Sequence, residues 1–167
     1  EDSTSTSASE QMQILVVDDA SPTVDVESLV KQWGGDQVEY HRNTVNLGPI
    51  NNWNRCIELS RGKWIHLLHQ DDFVQPGFYE SLGDGLKQEP SAGAAFCRYV
   101  EVNGAGVAVG GAGVEQEKPG ILEGLSERLA KIQRIQFVSM VVKRSVYEVL
   151  GGFSPTASSA SDWEMWQ

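Results

Sequence analysis

Long apolar runs are missing from these 167 residues. None approaches the ~20 residues a membrane-crossing helix needs, and no signal-peptide pattern opens the chain. The expectation is a cytoplasmic protein without a transmembrane segment here, at most held at the inner face of a membrane. Cationic side chains are scarce: 13 Lys and Arg stand against 23 Asp and Glu, for a net charge of −10. Sequence-independent binding to nucleic acid rests on cations neutralising phosphates, so that class of partner is excluded as the main one. An acidic site can still take an anionic ligand if a divalent cation sits between them. Cysteine is nearly absent. Cys56 and Cys97 are far apart, lack metal-ligand spacing, and read as small core residues of a protein in a reducing compartment. No internal repeat occurs; the biased segments are the Ser/Thr-rich stretch 1–10 and a glycine-rich stretch over 104–120. What remains is ordinary: 40% apolar and 22% charged residues, enough for one domain with a real core and hardly for two.

Apolar periodicity organises the rest. Residues 14–17 form a short apolar run with two valines, bounded by Asp18 and Asp19, which predicts a buried strand. Val26, Leu29, Val30 and Trp33 recur at i, i+3, i+4 and i+7, an amphipathic stripe that Gly34-Gly35 ends. A second strand is expected over 38–42. Pro49 suits a first helical turn, and Ile50, Trp53 and Ile57 mark that helix's buried stripe up to Gly62. A third strand, 63–68, runs into His69-Gln70-Asp71-Asp72. Pro76 opens a helix with Phe78, Leu82 and Leu86 on one face. Then come a strand-like stretch over 94–102, a mobile loop or loose hairpin over 104–120, and a helix marked by Leu122, Leu125, Leu129 and Ile132. A strand over 137–142 and a short helix over 145–150, stopped by Gly151-Gly152, complete the reading.

Strand and helix alternate through the first half of the chain. That implies an α/β fold with a mostly parallel twisted sheet and helices on both faces, so that ligands bind at the carboxyl ends of strands. Asp18-Asp19 and Asp71-Asp72 both fall at such ends. Residues 1–13 are expected to be a flexible N-terminal segment and 14–167 one folded domain; the closing DWEMWQ reads as a helix just beginning.

ILVVDDASPT (14–23) is compatible with two families. Receiver domains of two-component signalling also end their first strand in paired acids, which hold Mg²⁺. They need a later strand-end Lys followed by Pro, and nothing over 94–109 offers it. The large family 2 of glycosyltransferases accounts for more. RNTVNLGPINNWNRCIELSRGKWIHLLHQDDFVQPGFYESL (42–82) resembles that family's central block: Asn and Gly ahead of a helix, Gly62 before a strand, then acids, then Pro76. SMVVKRSVYEVLGGFSPTASSASDWEMW (139–166) resembles its strand, short helix, Gly-Gly-Phe and acid-Trp signature. Three blocks in register across about nine-tenths of the chain outweigh any single motif. A solvated turn that happens to carry two Asp is the plain alternative for either pair taken alone.

The resemblance implies a Rossmann-like, GT-A-type nucleotide-diphospho-sugar transferase fold lacking its first strand. It also implies an inverting, metal-assisted transfer of a sugar to an acceptor hydroxyl, in polysaccharide biosynthesis. The implied partners are a UDP- or dTDP-sugar, Mg²⁺ or Mn²⁺, and a glycan or lipid-linked acceptor; the fragment alone is expected to be inactive. By that resemblance Asp18 accepts a hydrogen bond from the imino N–H of a uracil-like base. Asp19 assists, or caps the loop before Thr23 and the helix after it. Asn46 and Gly48 shape the loop facing the donor, Gly48 by letting the backbone approach closely. His69, Gln70 and Asp71 occupy the family's Asp-x-Asp positions, so His replaces the first acid and Asp71 is the implied metal ligand. His69 contacts the nucleotide, supports Asp71, or is structural; Asp72 caps the turn to Pro76 or orients Asp71. The His also leaves open a module that binds nucleotide sugar without turning it over. Asp162, in the acid-Trp run, is the implied general base, with a plain helix cap as its alternative. Trp163 and Trp166 are expected to be core contacts of the last helix.

Overall fold

Strand β1 (Ile14–Asp18) and strand β2 (Val38–Arg42) pair in parallel, Ile14 opposite Val38 and Asp18 opposite Arg42, with helix α1 (Val26–Gly34) as the connection. The computed structural model describes residues 12–167, and the chain divides into two units, one ending at Lys63 and the other running from Trp64 to Gln167. The N-terminal segment through residue 11 lies outside the described residues. Gln13, next to β1, is tied down: its amide donates to Glu39 Oε2 at 3.1 Å and its carbonyl accepts from Arg61 N at 2.7 Å.

Local chemistry explains the helix ends of the first unit. Asp25 caps α1 by accepting from Ser28 N at 3.1 Å. Gly35 closes it at φ 56, and a Cβ added at Gly34 would lie 2.4 Å from Val38 Cγ2, so the pair serves conformation at one position and space at the other. Val26 and Val30 are half-buried, but Leu29 and Trp33 are exposed, Trp33 at 81%. The expected stripe is thus only partly covered, since two strands offer little surface to a helix. Helix α2 (Pro49–Leu59) has Pro49 in its first turn and ends where Ser60 N and Oγ both bond Cys56 O, at 3.0 and 2.6 Å. Burial pushes the half-buried Cys56 thiol up to about 11. Cys97 is exposed, which corrects the reading of both cysteines as core residues.

The second unit runs β3 (Trp64–Ile65), α3 (Phe78–Gln88), β4 (Ala94–Phe96), β5 (Val100–Val102), β6 (Ala108–Gly111), α4 (Leu125–Leu129), β7 (Met140–Lys143), α5 (Arg144–Leu150) and α6 (Ser161–Trp166). β7 lies between β3 and β4 and is antiparallel to both, with Ile65 opposite Val142 and Ala95 opposite Val141. The parallel arrangement expected for most of the sheet is therefore found, among the described residues, only in β1–β2. Apolar runs predict strands but not their direction. Leu82 and Leu86 of α3 bury against Val141, ringed by Trp64, Phe78, Ala92 and Ala95. Burial of this kind contributes on the order of 2 kcal/mol per large apolar side chain. A second cluster joins Phe153 to Phe137, Tyr147 and Trp166 at ring separations of 5.2, 5.9 and 5.7 Å.

The stretch expected as one strand over 94–102 breaks at 97–99. Its second half pairs with β6 as an exposed antiparallel hairpin, turned by Asn103, whose N–H donates to Val107 O at 2.9 Å. The glycine-rich run thus begins as the loose hairpin it suggested. Among the described residues no helix is long and apolar enough to cross a membrane.

Candidate functional site

The acid pair of the first unit is built into the end of β1. Asp18 is buried, and its carboxylate exposes no side-chain surface. Its Oδ1 accepts from Ser21 N at 2.9 Å, and its Oδ2 accepts from the Tyr40 hydroxyl at 2.8 Å and from the Arg42 guanidinium. Burial alone would push this carboxyl up; the hydrogen bonds from Ser21 and Tyr40 and the Arg42 charge prevail and hold it at about 2. It is ionised at any physiological pH.

Asp19 does not take the alternative role of a cap before Thr23. Asp25 caps α1, and Asp19 reaches the other way. It accepts from Leu47 N at 2.8 Å, Gly48 N at 2.9 Å and Asn43 Nδ2 at 2.9 Å, while its own carbonyl accepts from Asn46 Nδ2 at 2.9 Å. The acid therefore holds the 43–48 loop against the strand end. Gly48 enters α2 at φ 80, and nothing lies within 4 Å of a Cβ added there. Its glycine answers a conformational demand, a positive φ that leaves the backbone uncovered by neighbouring protein atoms. Ala20 sits between acid and turn at φ 58, a left-handed residue with a side chain.

Two residues of this constellation, Asn43 and Asn52, escaped the sequence reading. Asn43 is buried, and its Nδ2 donates to Asn52 Oδ1 at 2.9 Å as well as to Asp19. Its N–H donates to Asp18 O at 2.9 Å, which extends the strand pairing by one rung. The available signal was the Asn just past the strand matched with an Asn early in the following helix.

The acid pair of the second unit is arranged otherwise. Asp71 and Asp72 are both exposed, and among the described residues neither carboxylate takes a hydrogen bond or ion pair. Asp72 N donates to His69 O at 3.2 Å, closing a turn that brings His69, Asp71 and Asp72 together. One ligand atom from each lies within 4.8 Å of the others. The Asp72 carboxylate does not cap the turn to Pro76. The His69 ring is half-buried and packs on Phe137 at 4.6 Å, which fixes its position beside the acids. Asp71 and Asp72 also line an open groove of about 890 Å³ whose other walls include Phe73, Tyr99, Glu101 and Gln136.

Asp162 lies in the first turn of α6 and is half-buried. It does not cap that helix: the cap position is Ala160, and the carboxylate accepts from Gln133 Nε2 at 2.9 Å. Trp163 Nε1 donates to Leu129 O at 2.6 Å, and Trp166 packs edge-on against Phe137 and Phe153, so both tryptophans serve the core as expected.

Comparison with known proteins gives concordant matches. The family model of glycosyl transferase family 2 matches residues 3–151. An uncharacterized protein of Mycobacterium tuberculosis (strain CDC 1551 / Oshkosh) is 35% identical over 92 residues, 54% of this chain and 28% of that protein. Crystal structures of S. aureus TarS 1–349 superpose with a TM-score of 0.69 at 13% identity for TarS by itself, and 0.70 at 16% for its complex with UDP. A third, in complex with UDP-GlcNAc, gives 0.65 at 16% identity. These matches cover 95%, 94% and 87% of this chain but 47%, 45% and 40% of the TarS chains, so the chain spans less than half of each. At such identities the likeness is one of fold.

Proposed function

The chain belongs to glycosyl transferase family 2, and from that premise we propose that it serves an inverting transfer of a sugar from a UDP- or dTDP-sugar to an acceptor hydroxyl on a glycan or lipid-linked chain. The observation that carries the reading is the turn that follows β3. There the ligand atoms of His69, Asp71 and Asp72 gather within 4.8 Å on a surface open to solvent. Carboxylate oxygens with one imidazole suit Mn²⁺ or Mg²⁺, and the exposed side leaves room for phosphate oxygens. Asp71 would hold the cation, with His69 and Asp72 completing or orienting the set; the cation would supply charge to stabilise a diphosphate leaving group.

The remaining roles belong to the chain's own groups. Asp18 takes the imino N–H of the base on the acceptor capacity its present partners leave, with the half-exposed Arg42 swinging aside. Asp19, Asn46 and Gly48 shape the donor loop. Asp162 removes the proton from the acceptor hydroxyl as that oxygen bonds to the anomeric carbon, and the bond from that carbon to the diphosphate oxygen breaks.

The test uses the full-length protein that carries this chain. A thermal-shift screen of UDP, dTDP and their sugars with Mn²⁺ should raise the melting temperature for one nucleotide class, because a ligand of the folded state stabilises it. Asp162→Asn should fold, keep donor binding, and lose roughly 10²–10⁴-fold in turnover. Retained turnover within a few-fold would remove Asp162 as the base. Donor binding without turnover in the wild type would favour the binding module over the enzyme.

A further inference from the structure

Asp162 is mounted on more contacts than its own helix supplies. Ser161, beside it, is buried, and its Oγ bonds Ser154 O at 2.9 Å and Ser158 O at 2.7 Å. Trp163, on its other side, bonds the carbonyl of Leu129 at the end of α4. The carboxylate itself meets Gln133. The orientation of that amide is not free: Gln133 Oε1 accepts from Arg134 N at 2.9 Å and Ile135 N at 3.3 Å, so the oxygen faces its own backbone and the NH₂ must face Asp162. The segment that follows is anchored in turn. Arg134 Nη1 donates to Glu115 Oε1 at 2.8 Å, and Arg128 Nη1 donates to Glu115 Oε2 at 3.0 Å. Ile135 is fully buried.

We propose that Gln133 is a positioning residue for the transfer step: its backbone-locked amide holds one oxygen of Asp162 by its N–H and leaves the other to receive the acceptor's proton. The inference rests on Asp162 being the base. A carboxylate on a six-residue helix can rotate about its side-chain bonds; one donated hydrogen bond from a fixed amide removes that freedom. General-base efficiency depends on such placement, and a misplacement of about 1 Å can cost on the order of a hundredfold. Gln133 touches neither donor nor acceptor in this reading, so it acts only through Asp162.

Gln133→Glu is the informative change. Its carboxylate can still accept from Arg134 N and Ile135 N, but it faces Asp162 with an oxygen instead of an N–H. Should two facing carboxylates impair folding, Gln133→Met removes the donor without the charge. The assay is nucleoside diphosphate released by the full-length protein from the UDP- or dTDP-sugar that most raises its melting temperature, with Asp162→Asn and the double variant Gln133→Glu/Asp162→Asn alongside. We expect either Gln133 variant to lower kcat about tenfold or more while the donor KM stays within about twofold. In the double variant the amide introduced at position 162 can donate to the carboxylate introduced at position 133. Its melting temperature should therefore return toward wild type while kcat stays at the Asp162→Asn level. A Gln133→Met or Gln133→Glu protein with kcat within twofold of wild type, beside an inactive Asp162→Asn, would overturn the positioning role and leave the base standing. An Asp162→Asn protein that keeps its turnover would overturn the base and this inference with it.

Discussion

Two Asp-Asp pairs follow two strands of this chain, and they lead opposite lives. Asp18 and Asp19 are engaged by the protein: every carboxylate oxygen of the pair has a partner. Asp19 holds a loop to a strand end through Asn43, Leu47 and Gly48, and Asp18 meets a ligand only by exchanging Arg42 for it. Asp71 and Asp72 stand exposed, beside His69, with no such bonds among the described residues. A carboxylate whose lone pairs are filled from within contributes mainly stability and shape. One whose lone pairs face water is available to a cation or a ligand. The same dipeptide, in one case closing a strand and in the other in a turn past the end of β3 at Ile65, therefore carries two kinds of work, and the neighbours decide which.

The largest effect on folding should come from Asp19→Ala. It takes the acceptor from Leu47 N and one of two acceptors each from Gly48 N and the amide of the buried Asn43. We expect a loss of about 2–3 kcal/mol in denaturant unfolding of the first unit. A midpoint unchanged from wild type would break the contrast between the pairs.

Asp18 should show itself in pH. Its folded carboxyl sits at about 2, below the ordinary value of 3.8. A depressed acid contributes stability that is present above the unfolded pKa and lost as pH falls through the folded one. Stability of the wild type should therefore drop between about pH 4 and pH 2, and the drop should be smaller in Asp18→Asn. Equal acid sensitivity of the two proteins would contradict the assignment. In nucleotide binding, Asp18→Ala should cost roughly 1.5–3 kcal/mol by calorimetry, the worth of one charge-assisted hydrogen bond.

Ala20→Gly sharpens the same comparison from the other side. A left-handed residue with a Cβ costs roughly 1 kcal/mol relative to glycine. The glycine variant should be more stable by about that amount in urea. A destabilised variant would mean that the turn tolerates the side chain without strain.

The difference between the pairs was not legible from the residues alone. Periodicity and boundary residues located β1, α1 and α2 because each carries its own punctuation: Asp18-Asp19, Gly34-Gly35, and Pro49 with Gly62. Direction was not legible, so β7, inserted antiparallel between β3 and β4, came as a correction. A strand pair is made by residues far apart in sequence, and no local pattern states which edges meet. The site divides along the same line. Asp19, Asn46, Gly48 and the HQDD turn were marked by local motifs. Asn43, Asn52 and Gln133 act through contacts 9 to 29 residues away; the first two left only the faint sign of an Asn past a strand matched with one early in a helix, and Gln133 left none. Trp33, exposed at 81%, shows the converse, since an apolar stripe records what a helix can bury and not what covers it.

Whether the exposed pair serves a cation is tested most directly by calorimetric titration of UDP into the full-length wild type and Asp71→Asn, each with and without Mn²⁺. Mn²⁺ should strengthen UDP binding to the wild type by at least about tenfold. Asp71→Asn should lose this gain while its stability to unfolding stays within about 0.5 kcal/mol of wild type. An Asp71→Asn protein that binds UDP with the same Mn²⁺ dependence as the wild type would contradict the assignment of Asp71 to the cation.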